Sequence, residues 1–231
     1  VHSMKDMPIS FPLTLCIACV TKRENPFDAL ISRNNVKLDA LPKGAKIGTG
    51  SLRRMSQLKH YRPDFNLYPL RGNLETRLKK LNSEGLDAII LAAAGLIRLG
   101  WDDQITELIS PEILLPAMGQ GAVGIETRKN DVDNQILLAD MDDEETHYTL
   151  DAERALVSQL QGGCNVPIGS FATIKDDKIT LTGLVASLDG KTIYKKELTD
   201  LKTNAIAVGR KIGEELIEMG ADKIMKEIQS M

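Results

Sequence analysis

A thiol, a carboxylate and a row of guanidinium groups are the side chains here whose types and spacing could do chemistry. Cys164 lies in Gly162-Gly163-Cys164-Asn165-Val166-Pro167-Ile168-Gly169. Ahead of it Ala152, Ala155, Leu156 and Leu160 fall at i, i+3, i+4 and i+8, so 151–160 reads as an amphipathic helix with one buried face. The glycine pair ends that helix and Pro167 prevents its resumption, which puts Cys164 on a fixed bend. A thiol held there can be a covalent anchor or a small buried hydrophobe, and the residues alone leave both open. Asp6 sits in Lys5-Asp6-Met7-Pro8, a loop closed by proline, where the plain reading is a solvated carboxylate beside Lys5. Cys16 and Cys19 form a C-x-x-C inside an apolar run. Residues three apart on a strand face opposite ways and no second pair lies nearby, so core packing is expected rather than a metal or redox role.

The elements that must position these groups follow from the apolar pattern. Residues 13–20 read as a buried strand, and 21–26 as a polar crossing into a second unit. That unit alternates strand and helix: strands at 28–32, 46–49, 66–70 and 87–92, a helix from Leu52 and another over 74–81. Such alternation implies an α/β layer with a largely parallel sheet, in which ligands gather outside the carboxyl ends of the strands. Thr49 ends one strand and Ser51 can cap the next helix, placing Arg53 and Arg54 in its first turn. Arg71 follows another strand, Arg77 lies one helical spacing on, and Arg98 follows a third strand by a short turn. Any one of these could be an ordinary surface arginine. Together at one sheet edge they suit a ligand bearing several carboxylates, because guanidinium binds carboxylate as a fork. A cation near a helix start is locally unfavourable, so Arg53 and Arg54 call for a partner. Residues 111–121 read as the return crossing and 122–127 as an apolar strand. From Glu144 the plan becomes helix, three strands at 170–174, 179–186 and 192–198 joined by short turns and hence antiparallel, and a last helix over 203–219.

Composition narrows the classes. With 29 Lys+Arg against 32 Asp+Glu the formal net charge is −3, so no global basic field points to nucleic acid and an anionic ligand must be met locally. The longest apolar run, 88–97, is half a bilayer span, and the N-terminus carries no signal pattern, so neither membrane nor secretion is expected and the cytoplasm is the default. Three cysteines without a disulfide framework fit a reducing compartment, and three scattered histidines give no metal-ligand spacing.

Taken together, His2-Ser3-Met4-Lys5-Asp6-Met7-Pro8, Gly48-Thr49-Gly50-Ser51-Leu52-Arg53-Arg54, Leu70-Arg71-Gly72-Asn73, the 87–96 strand-and-turn, Leu115-Pro116-Ala117-Met118-Gly119-Gln120-Gly121-Ala122 and the Gly162–Gly169 octapeptide resemble the porphobilinogen deaminase (hydroxymethylbilane synthase) family, in family order along essentially the whole chain. The resemblance implies a transferase of haem and tetrapyrrole biosynthesis that condenses four porphobilinogen molecules head to tail with loss of ammonia. It implies Asp6 as the catalytic group and a dipyrromethane cofactor joined to Cys164 by a thioether. It further implies Ser3, Lys5, Thr49, Ser51, Arg53, Arg54, Arg71, Arg77, Arg98 and Gln120 as contacts to the carboxylates of cofactor and substrate. Two domains like type II periplasmic binding proteins are implied, the first incomplete here, with a small C-terminal α+β domain carrying a three-stranded antiparallel sheet. The boundaries expected are 1–22 with 117–140, then 27–115, then 144–231, in a monomer without nucleic-acid or membrane partners. Several dozen residues precede Val1 in the family, so the chain is expected to be a fragment. Gly50 stands where the family commonly has serine, removing one hydroxyl contact, and Met7 replaces a usual valine or leucine, expected to be neutral. A non-catalytic organic-anion-binding module and an inactive truncated form are the alternatives.

Overall fold

The computed structural model describes residues 1–161 and 166–229. In chain order the elements begin with β1 (His2–Ser3), β2 (Leu15–Val20), β3 (Asp28–Ser32), β4 (Lys46–Gly48), α1 (Leu52–Tyr61), β5 (Asn66–Tyr68), α2 (Leu74–Ser83), β6 (Ala88–Ala92), α3 (Ala93–Arg98) and β7 (Glu107–Ile109). They continue with β8 (Val123–Arg128), α4 (Val132–Leu138), α5 (Glu144–Gln159), β9 (Ile168–Lys175), β10 (Lys178–Ala186), β11 (Ile193–Leu201), α6 (Ala205–Glu218) and α7 (Ala221–Gln229). Among the described residues the strands form three sheets. The fold is α/β with a C-terminal three-stranded antiparallel sheet.

The first sheet has the order β1-β8-β2, so the strand after the return crossing pairs antiparallel with strands from the start of the chain. A small cluster of Met4, Met7, Val20, Ala122 and Leu150 lies beneath it, and Met7 packs there as an ordinary apolar residue. β2 is less buried than its apolar run predicts. It is an edge strand, and only Cys19 and Val20 are fully covered. A bulge between Ile17 and Cys19 shifts its register, and both cysteines are free thiols.

The second sheet, β5-β4-β6-β3-β7, is mixed rather than largely parallel. β4 runs parallel to β5 and β6, but β3 is antiparallel to both β6 and β7. The reason is the connection after β3. Two short 3-10 turns, Arg33–Asn35 and Leu38–Ala40, replace a crossover helix, so the chain re-enters the sheet from the end it left. Asp28, the first residue of β3, therefore lies level with Ala92, at the carboxyl end of β6.

Local signals explain the helices. Ser51, Asn73, Asp131 and Asp143 each cap a helix by accepting a backbone N–H with the side chain. The third sheet, β11-β10-β9, packs its apolar face on α5 and α6, where Ile179, Leu181, Leu156, Val208 and Ile212 are fully buried. Gly209 admits this packing, since a β-carbon there would run into the Ala152 carbonyl. The last helix is two helices, because Gly220 at φ +109 breaks the chain after α6 and α7 then begins. Among the described residues no helix is long and apolar enough to cross a membrane, and no group of three or more His, Cys, Asp and Glu could hold a metal.

Candidate active site

Asp28 is fully buried at the head of an apolar strand, and a carboxylate there must be paired. Its Oδ2 accepts from Arg53 Nη1 at 2.8 Å, and its Oδ1 accepts from Arg54 Nη2 at 2.7 Å and Nε at 3.0 Å. Arg53 also donates to the Leu115 carbonyl at 2.6 Å and Arg54 to the Ile90 carbonyl at 3.1 Å. Burial alone would raise the Asp28 carboxyl, but the two guanidinium groups outweigh it and hold the group well below the usual carboxylate range. The partner that the first turn of α1 calls for is thus internal. Arg53 and Arg54 are 4% and 6% exposed, and both guanidinium groups bond to Asp28. Gln120 belongs to the same cluster: its Nε2 donates to the Pro26 carbonyl at 2.6 Å and to Asp28 Oδ1 at 2.9 Å. Both amide hydrogens are thus used within the chain.

One carboxylate under two arginines leaves a positive remainder, and further cations surround it. Lys5 is pushed below its ordinary pKa by burial first and by the charge of Arg54 next, although Asp6 and Asp28 act the other way. Arg77 is likewise lowered by burial and by Arg54. Its Nε donates to the Gly72 carbonyl at 2.7 Å, tying it to the loop that carries Arg71. Arg71 is exposed and has no hydrogen-bond or ion-pair partner among the described residues. Asp6 is exposed at the end of the 3-10 turn Met4–Asp6, beside Lys5, with no hydrogen bond to a described residue. Ser3 precedes that turn without capping it. Thr49 is buried and accepts the Ser51 N–H at 3.4 Å, and Ser51 accepts the Arg54 N–H at 3.5 Å. Arg98 lies further off in role: it donates to the Gly121 carbonyl at 2.8 Å and ties α3 to the return crossing. Gly50 packs so closely that an added β-carbon would stand 2.6 Å from the Leu70 carbonyl. Cys164 lies outside the described residues.

A second buried pair joins the crossings to the C-terminal unit. Arg23 Nη1 and Nη2 donate to the two oxygens of Glu153 at 2.6 and 3.2 Å, and Glu153 is fully buried on α5. The same carboxylate accepts the Gly119 N–H at 2.7 Å and the Ala172 N–H at 2.9 Å.

Two family models match the chain: "Porphobilinogen deaminase, dipyromethane cofactor binding domain" over residues 1–136 and "Porphobilinogen deaminase, C-terminal domain" over residues 147–218. The chain belongs to the porphobilinogen deaminase family. Similar curated proteins include the porphobilinogen deaminases of Desulforamulus reducens, 50% identical over 230 residues covering 100% of this chain and 74% of the relative, and of Syntrophobacter fumaroxidans, 46% identical over 228 residues covering 99% and 74%. That of Ruthia magnifica is 48% identical over 226 residues, covering 98% and 74%. The porphobilinogen deaminase activity, synthesis of hydroxymethylbilane on the way to tetrapyrroles, is the activity of this chain, and dipyrromethane is its cofactor.

The described residues fit that cofactor. A dipyrromethane carries four carboxylates, while Asp6 and Asp28 are the acids that act on Lys5 beside Arg53 and Arg54, and Arg77 lies within reach of the Arg54 charge. Cations whose proton affinity is already depressed by burial and by each other gain most from an arriving anion. Sequence reasoning passed over Asp28, Arg23 and Glu153. The signal for Asp28 was available, since a carboxylate opening the apolar run Asp28-Ala29-Leu30-Ile31 must find cations. Glu153 hid on the buried face of an amphipathic helix, 130 residues from Arg23.

Proposed function

We propose that porphobilinogen is bound and joined at the sheet edge formed by Lys5, Asp6, Thr49, Ser51, Arg71 and Arg77, with Cys164 as the point of attachment. The observation that carries this is the uncompensated positive charge around Asp28, with a lone carboxylate, Asp6, on its rim. Arg71 and Arg77 take the acetate and propionate groups directly. Arg53 and Arg54 act from beneath through their surplus charge, and the backbone N–H groups opening α1 add to it. When bound, dipyrromethane supplies the primer to which each porphobilinogen unit is added, four in turn with loss of ammonia. Asp6 stabilises the positive charge that develops on a pyrrole nitrogen as the aminomethyl group leaves, an interaction strongest in the transition state. Attachment through Cys164 keeps the product chain beside Asp6 until release. Residues 27–115 act as one unit, 1–22 with 117–140 as a second and 144–231 as a third. The first two follow the type II periplasmic-binding plan with the site between them, in a cytoplasmic monomer.

Substitution at Asp6 tests the assignment. Asp6→Asn keeps the shape and loses the charge, so turnover should fall by orders of magnitude while the cofactor stays attached. Asp6→Glu keeps the charge but moves it by about 1 Å, which can cost on the order of a hundredfold while leaving measurable activity. Near-wild-type turnover in Asp6→Asn, or a rise in KM alone, would make Asp6 a binding residue.

A further inference from the structure

The two buried carboxylates, Asp28 and Glu153, are linked to each other. Gln120 is 1% exposed and stands between them. Its side chain donates to Asp28, while its backbone carbonyl accepts from Arg23 Nε at 2.9 Å. Arg23 then forks onto Glu153, and Glu153 accepts from Ala172 on β9. The path therefore runs without a break from Arg53 and Arg54 on α1, through Asp28, Gln120, Arg23 and Glu153, to β9, which follows Cys164 in the chain. Its members come from both crossings: Arg23 and Pro26 from the outgoing one, which leads into Asp28 on β3, and Gly119 and Gln120 from the returning one. Sliding one crossing past the other must break a buried bond, and each buried donor or acceptor left unmade is costly. Bonds in such a low-dielectric chain also polarise one another.

We infer that Gln120 is a positioning residue, the joint through which the arginine-bearing helix α1 and the cofactor-attachment side of the C-terminal unit are held at a fixed spacing. The inference rests on the assignment of Cys164 as attachment point and of the α1 edge as anion site. It places Gln120 outside the groups that touch the ligand. Coupling between the two ends is reciprocal, so a change at either should be felt at the other.

Hydrogen exchange in the intact holoprotein tests the coupling independently of catalysis. Gln120→Met keeps the volume and removes the donor; it should speed exchange of the Ala172 and Gly119 amides at least about tenfold while the β10–β11 ladder is unchanged. Glu153→Gln should in turn speed exchange of the Arg54 Nε–H. With porphobilinogen, Gln120→Met should lower kcat about tenfold with KM within about twofold, and the double variant should be no slower than the slower single one. Protected Ala172 in Gln120→Met, or additive effects in the double variant, would show two independent clusters and overturn the inference. A rise in KM with kcat retained would make Gln120 a direct ligand and equally overturn it. Should Gln120→Met fail to fold, Gln120→Asn, which draws the amide back by one methylene, carries the same readouts. A wild-type protein without dipyrromethane on Cys164 would refute the assignment of the site, while the exchange prediction would stand or fall by itself.

Discussion

Asp28 decides the chemistry of its surroundings by what it fails to neutralise. One carboxylate anchors two guanidinium groups, fixes them and leaves a positive charge beneath the sheet edge. Asp28→Asn removes the anchor and leaves two buried cations unpaired, so it should cost about 3–5 kcal/mol in denaturant unfolding. The acid limb has a definite sign. Since the folded-state pKa of Asp28 is depressed, its stabilisation is complete above the ordinary aspartate value of about 4 and is lost as pH falls from there toward the folded value. Over that interval the unfolded chain binds the extra proton, so stability falls with acid, and Asp28→Asn should flatten this part of the curve. The arginines separate by the same logic. Arg71→Leu should raise KM for porphobilinogen about tenfold or more, because a charge-assisted hydrogen bond is worth roughly 1.5–3 kcal/mol. Lys79, exposed and paired with Glu75 four residues earlier on α2, should change neither KM nor kcat when replaced by leucine. Arg53→Leu should act first on stability, read as a fall in the unfolding midpoint, since its fork binds Asp28 and not solvent. Equal small effects at all three positions would contradict this division.

At the scale of elements, α1 is the pivot. It buries Arg53, Arg54, Ser56, Gln57 and Leu58, a mostly polar face whose groups bond to Asp28 and to the Leu52, Ile90 and Leu115 backbone, with Arg53 Nε left without a partner. The β10–β11 hairpin closes over its other end, where His60 Nδ1 donates to the Gly190 carbonyl at 2.9 Å. Gly190 has φ +72, and a β-carbon there would lie 2.6 Å from the Ser56 carbonyl and 2.7 Å from the His60 nitrogen. Gly190→Val should therefore cost at least about 2 kcal/mol in thermal or denaturant unfolding. A neutral result would mean that the hairpin does not bear on α1. The longer helices α1, α2, α5 and α6 and most strands were legible from apolar spacing and caps, α4 was not, and Ser51 caps α1 where the sequence places it. The antiparallel course of β3 was not, because it depends on the absence of a crossover helix between Ser32 and Lys46, a tertiary matter. β7 was missed because only three short residues, Glu107–Ile109, extend the sheet. α7 was missed because the pattern was followed only as far as the break at Gly220. The Arg53 and Arg54 first turn was read as calling for a partner, and Asp28 is one within the chain.

At the scale of the molecule, the second and third sheets are tied together through two buried carboxylates, Asp28 on β3 and Glu153 on α5, the latter bonded to β9 and to both crossings. Cationic residues from α1, α2 and the Lys5 turn converge on one edge, while the thiols of Cys16 and Cys19 sit apart on β2, the second of them fully buried. Burial also raises the pKa of the Cys19 thiol, which makes it a poor nucleophile. The account therefore requires that Cys164 alone of the three cysteines is joined to dipyrromethane. Intact-protein mass spectrometry followed by peptide mapping of the active protein tests this most directly. The prediction is a single covalent increment of dipyrromethane mass on the peptide containing Cys164, with Cys16 and Cys19 as free thiols. An active protein whose Cys164 peptide is unmodified, or whose increment lies on Cys16 or Cys19, would contradict it.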